Sequence, residues 1–238
     1  MSSGSLLVIV PTRGRRANCE RLLESFRETA SPGTDLLFIS DPDDQDTYDG
    51  TDWGDALHAV MEPRGSYITK LNHGWQVFAG DYGAYMCLGD SNVAVTPGWD
   101  AILLKALEDL GGNGWVYPEN GRRRDVPEHW LASASITEAL GWFAPPYTGM
   151  YYGDNIVGEL GKRAGLIRYV PQAVVEHRHY TVDPDTGYDA TYKDAEATWG
   201  APDHAAFQEW RADRCANEVS VLRRHFSPDV AWVLSRVA

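Results

Sequence analysis

The sequence predicts an α/β domain with a mostly parallel central sheet flanked by helices, followed by a C-terminal helical extension. Three observations carry this. Uninterrupted apolar runs of strand length recur at residues 6–10, 36–40 and 84–88, as in strands buried on both faces. Each run stops abruptly, at Pro11, Asp41 and Gly89-Asp90. Stretches with 3.6-residue apolar spacing lie between the runs, so strands and helices alternate as in a parallel sheet.

In order, residues 1–5 read as a polar tail and residues 6–10 as the first strand. "PTRGRRANCERLLESF" follows, a loop with arginines and a helix whose apolar face is Leu22, Leu23 and Phe26. "LLFIS" is the second strand, and the acidic stretch 45–55 reads as loop. Leu71, Trp75 and Phe78 form one helical face leading to the central strand at 84–88. Pro97 opens a helix carrying Ile102, Leu103, Ala106 and Leu110, which Gly111-Gly112 stops. Residues 115–117 form a short strand, and Ser135 to Glu138 has capping-box spacing for a short helix. Residues 167–170 and 173–176 read as two last strands around Pro171. The polar stretch 180–200 reads as a lid or a disordered loop. Asp203 then caps a helix with Phe207, Trp210 and Val219 inward, and a short helix at Pro228 ends the chain.

Composition narrows the function. With 34 acidic and 21 basic residues among 238, the formal net charge is −13, which disfavours a nucleic-acid backbone or an anionic membrane as the main partner. Cys19, Cys87 and Cys215 lie far apart without metal or redox spacing, so a reducing cytoplasm is expected. The first apolar run is only a strand long, and no stretch approaches the roughly 18 apolar residues of a membrane span.

Chemistry-bearing residues gather at the ends of the apolar runs, where open α/β sheets place their ligands. Thr12, Arg13 and Arg15 follow the first strand and suit a phosphate, or a solvated basic turn. Asp41 follows the second strand and could accept the N3–H of a uracil, whereas Asp43 and Asp44 read as a solvated turn. Lys70 and Asn72 could approach a nucleotide from the next helix. Asp90 and Asn92, two residues apart on a tight loop, offer oxygen atoms to a divalent cation or to local backbone N–H groups. The loop with Trp142, Tyr147, Tyr151 and Tyr152 offers faces for sugar rings or a hydrophobic plug. Asp154 is either a helix cap or a rigidly placed general base. His177 and His179 face one side of an extended segment, where either could join the ion, as could two lone surface histidines be all that is meant. A mixed oxygen and nitrogen donor set favours Mn²⁺ or Mg²⁺ over structural zinc.

Taken in order, "LLVIVPTRGR", "LLFISD", "LGDSN", "GMYYGDN" and "YVPQAVVEHRH" resemble the GT-A fold glycosyltransferases, especially the large inverting family 2. The likeness covers residues 6–180, about three quarters of the chain. It implies a Rossmann-like, nucleotide-sugar-binding catalytic domain over residues 1–180, with residues 181–238 as a lid and helical extension packed on it. By this likeness Pro11, Thr12, Arg13 and Asp41 line the base pocket, Asp90-Ser91-Asn92 is the metal-binding motif, His177 or His179 completes the metal site, and Asp154 is the base. The chain departs from the family where Asn92 replaces the second acid, Gly153 stands in place of Glu before Asp154, and Leu71 stands where Arg often precedes Asn72.

The implied reaction moves a sugar from a UDP- or GDP-sugar to a hydroxyl of a protein, glycan or small molecule, metal-assisted and with inversion, although retaining enzymes share the fold. A nucleotidyltransferase would want a Gly-rich loop and Lys that "PTRGRRANCE" lacks. A glycoside hydrolase using Asp90 and Asp154 would leave Arg13 and Asp41 without a role. A non-catalytic sugar- or nucleotide-binding protein remains the alternative.

Overall fold

The computed structural model describes residues 5–183 and 187–226. They form one eight-stranded sheet between two layers of helices. The first half is parallel: β1 (Leu6–Pro11) lies between β2 (Thr34–Ser40) and β4 (Ala84–Cys87), and β3 (Leu57–Val60) pairs outside β2. The second half contains β5 (Asn92–Ala94), β6 (Trp115–Glu119), β7 (Leu131–Ser133) and β8 (Ile167–His177), giving the order β3-β2-β1-β4-β7-β6-β8-β5. β7 runs antiparallel to both β4 and β6, so it joins the two halves.

The continuous apolar runs divide by the two-residue period of a strand. Leu7 and Ile9 face one core and Leu6, Val8 and Val10 the other; Leu37 and Ile39 are likewise separated from Leu36 and Phe38. Helices α1 (Arg16–Thr29) and α3 (Trp99–Asp109) cover the second face, with Leu22, Leu23, Trp99 and Leu103 buried. Asp100 ties them together by accepting from the Ser31 N–H, the Ser31 hydroxyl and the Thr34 hydroxyl. The other face carries α2 (Tyr67–Val77), α4 (Ala134–Leu140) and α5 (Gly153–Ala164). At Gly74 a Cβ would stand 2.8 Å from Ile39 Cδ1, so glycine lets α2 lie close to the sheet.

Several elements depart from the sequence expectation. β3, β5 and β7, only three or four residues long, were not anticipated, and a 3-10 turn (Pro42–Tyr48) occupies part of the expected acidic loop. The two expected last strands are one, β8. It pairs parallel with β6, shifts register beside Pro118/Glu119 and continues antiparallel to β5. Pro171, which has no N–H to donate, lies in the part that the shift leaves unpaired. The cap of α4 is Ser133, whose side chain accepts from Ile136 N–H. Within 180–200, α6 (Ala190–Asp213) already begins at the Asp189 cap, so Asp203 is a residue of the helix interior, directly after Pro202. α7 (Cys215–Phe226) follows, and the helix expected at Pro228 lies outside the described residues.

Candidate functional site

The C-terminal ends of β1, β2 and β4 open into a cavity of about 610 Å³, closed on the far side by the start of α6. Its lining is locally balanced although the chain is strongly acidic. Arg13, Arg15, Arg64, Lys70, Arg122 and Arg123 all line it, facing six acids. Such a cavity can take an anion that the rest of the surface would repel.

On one side, Asp41 is 1% exposed. Its Oδ2 lies 2.8 Å from Lys70 Nζ and 3.1 Å from an Arg13 guanidinium nitrogen. Lys70 also donates to the Thr12 carbonyl at 3.3 Å, and burial pulls its pKa down against the pull of Asp41. Arg13 reaches on to Asp43, forming a bidentate pair at 2.7 and 2.9 Å. Among the described residues, the remaining Asp41 oxygen, Oδ1, accepts only a long 3.4 Å bond from Gly65 N–H.

In the middle, Asp90 accepts from the Thr12 hydroxyl at 3.0 Å and lies 3.5 Å from Arg15. Burial pushes its pKa up, with Arg15 opposing. Arg15 is also a latch for α6. It forms a bidentate pair with Asp189 at 3.0 and 2.9 Å, and its guanidinium sits 4.2 Å from the centre of the Tyr192 ring.

Elsewhere in the lining, Glu128 Oε2 lies 3.2 Å from His177 Nδ1. A carboxylate only accepts, so His177 Nδ1 donates to Glu128. Glu128 also accepts from Arg122 and Asn120. Despite burial, its bond to His177 and the neighbouring positive charges hold its pKa down at about 2. His129 completes the one set of three such side chains, among the described residues, whose ligand-type atoms all lie within 4.8 Å of one another. Burial pushes His129 down to about 3, so it is neutral, and its Nε2 meets the Asn92 amide nitrogen at 2.8 Å. His179 lines the cavity beside His177, its rings 5.1 Å apart, and burial lowers its pKa to about 4.

Asp154 stands in the first turn of α5 and lines the same cavity. It is not the cap: that position is Tyr152, a non-glycine residue at φ 65°. Asp154 accepts from Asn155 N–H at 2.8 Å. Burial, helped by the negative charge of Glu128, raises its pKa to about 6. A carboxylate tuned there is mostly ionised at neutral pH and still basic enough to take a proton.

Pro11, Thr12, Arg13, Asp41, Lys70, Asp90, Asp154, His177, His179, Tyr151 and Tyr152 therefore share one cavity. Four expected residues do not reach it. Asn92 is fully buried, accepting from Gly89 N–H and donating to the Glu176 carbonyl, so its amide closes the Asp90 loop and offers no ligand atom. Asn72 clamps the aromatic loop through Phe143, Ala144 N–H and the Ala144 carbonyl. Trp142 packs in the core, and the Tyr147 hydroxyl is bonded to Glu218 of α7. Sequence reasoning missed Glu128 and His129, hidden in the basic run 121–130, and the aromatic wall of Tyr180, Tyr188, Tyr192 and Trp199. The acidic and aromatic density of residues 180–200 was the available signal for the latter.

No protein-family model matches the sequence, and no curated protein sequence matches it. Solved structures do match the fold. S. aureus TarS 1–349, solved in complex with UDP, superposes with a TM-score of 0.57 at 11% identity, covering 72% of this chain and 60% of that one. GalNAc-T7, solved with UDP, GalNAc and Mn²⁺, superposes with a TM-score of 0.58 at 13% identity, covering 73% and 43%. The chain thus spans 60% or less of these proteins' solved lengths. The likeness shows that this chain has a GT-A-like α/β fold. Among the described residues no helix is long and apolar enough to cross a membrane.

Proposed function

We propose that this GT-A-like protein is a glycosyltransferase that moves a sugar from a nucleoside-diphosphate sugar to an acceptor hydroxyl, with inversion. The observation that carries it is the convergence of Asp154 and the Asp41–Lys70–Arg13 group on one cavity at the strand ends, whose lining is balanced in charge although the chain is strongly acidic. TarS and GalNAc-T7, which share the fold, were each solved with UDP, and a UDP-sugar is the donor we favour over a GDP-sugar.

In this reading Asp41 Oδ1 accepts the imide N–H of the base, while Oδ2 stays paired with Lys70 and Arg13. Arg15, Arg122 and Arg123 face the diphosphate and offset its charge as the leaving group departs. Asp154 takes the proton of the acceptor hydroxyl as that oxygen attacks the anomeric carbon, and the nucleoside diphosphate leaves from the opposite face. A divalent cation, Mn²⁺ or Mg²⁺, would be held by Asp90 with His177 or His179, which line the same cavity, and would screen the diphosphate. Asn92 contributes nothing to that set, since its amide is spent inside the loop. Tyr151, Tyr152 and the α6 aromatic residues shape the acceptor side, which suits a glycan, protein or small molecule better than nucleic acid. Three buried free cysteines accord with a cytoplasmic setting.

A panel of nucleotides and nucleotide sugars, with and without Mn²⁺, tests this by thermal shift and by release of nucleoside diphosphate. Stabilisation by uridine diphosphates together with turnover of one UDP-sugar is expected. Absence of any shift would sink the proposal. Binding without turnover would favour the non-catalytic reading, to which the diverted Asn92 amide lends support.

A further inference from the structure

We infer that Asp203, in the interior of α6, is a positioning residue that sets the turn carrying Asp154, so that α6 is part of the catalytic apparatus. This rests on the transferase reading for the word catalytic, and on geometry alone for the clamp.

The Asp203 carboxylate is 3% exposed. It accepts three successive backbone N–H groups, from Gly149, Met150 and Tyr151, each at 2.8 Å. A buried carboxylate is costly unless its lone pairs are filled, and here the backbone of one turn fills them. Two packing contacts point to the same turn. A Cβ on Gly149 would stand 2.2 Å from the Trp199 ring of α6, so only glycine lets the helix approach this closely. Tyr152 stacks on Phe207 of α6, with centroids 5.2 Å apart and planes 13° apart.

The turn needs such support. Tyr152 adopts φ 65°, a conformation disfavoured for a residue with a side chain, and it is the residue from which α5 starts. Strained backbone persists only where its surroundings over-determine it. Asp154 lies two residues further on, so its direction into the cavity depends on where this turn is held. Asp203 itself does not line the cavity. It acts through the three N–H groups, without touching substrate.

The test compares Asp203→Ala and Asp203→Asn with Glu209→Gln, an exposed change on the same helix. Amide hydrogen exchange at Gly149, Met150 and Tyr151 is expected to accelerate at least tenfold in Asp203→Ala and less in Asp203→Asn, with cooperative melting retained. UDP affinity should stay within about twofold, donor KM within about threefold, and kcat fall at least tenfold. Unchanged exchange would overturn the clamp, and freed amides with wild-type kcat would overturn its positioning role. A wild type that binds UDP but turns over no donor overturns the transferase reading instead. The role of Asp203 is then decided by NMR titration of Asp154: Asp203→Ala moves its midpoint and Glu209→Gln does not, and equal midpoints in all three proteins would refute it.

Discussion

Replacing Asp154 with Asn is expected to stabilise the protein while abolishing its chemistry. The carboxylate titrates at about 6 in the fold against a usual 3.8, because burial and Glu128 disfavour its charge. A pKa raised on folding means that the native state binds the proton more tightly than the unfolded chain. Ionisation at neutral pH therefore subtracts from stability. Two pKa units at about 1.4 kcal/mol each set an upper bound of about 3 kcal/mol. Asp154 is only partly buried, and solvent screening reduces this to about 1–2 kcal/mol. Asn keeps the shape and can still accept from Asn155 N–H, so little else changes. For a chain of this size the gain corresponds to a Tm rise of about 2–8 °C at pH 7.5. The difference develops as pH rises through the interval between 3.8 and about 6 and is absent below it. Melting curves of both proteins across that interval measure it directly. A variant that melts lower at pH 7.5, or whose gain is the same at pH 4, would refute the assignment of a charge-strained Asp154. Sugar transfer by the same variant should fall by about 10²- to 10⁴-fold, and the wild-type rate should drop as pH is lowered through about 6.

Two other substitutions probe the frame of the site. Asp41→Asn leaves Lys70, 4% exposed, without its counter-charge; a loss of about 3 kcal/mol is expected in urea unfolding, along with weakened uridine-nucleotide binding, and unchanged stability would mean that Lys70 is neutral in the fold. Gly149→Ala forces a methyl group into the Trp199 ring and should cost about 1–3 kcal/mol, with Trp fluorescence reporting displacement of α6; a wild-type melting curve would show that α6 docks loosely there.

The parallel half of the sheet was legible because β1, β2 and β4 are continuous apolar runs whose two faces are both buried. The residues at their ends were legible for the same reason. Once β1, β2 and β4 are parallel neighbours, Thr12, Arg13, Asp41 and Asp90 must emerge at one edge. β3, β5 and β7 have no such signature: three or four residues carry too little periodicity, and each exists only by pairing with a distant segment. Side-chain direction was also beyond local pattern. Asn72 and Asn92 have the right chemistry for a ligand site, but each amide is consumed by backbone groups that folding brings beside it. The N-cap preference of Asp suggests a helix cap at Asp203, whereas its partners lie more than fifty residues earlier in the chain.

What the sequence alone determined was the alternation of buried strand and amphipathic helix, and hence the sheet edge at which polar residues gather. Tertiary structure decided which of those residues face the cavity, which are spent holding it together, and that α6 forms its far wall. The physical reason is that burial periodicity is a property of neighbours in the chain. The satisfaction of a buried amide or carboxylate depends on partners that only the folded chain brings within 3 Å.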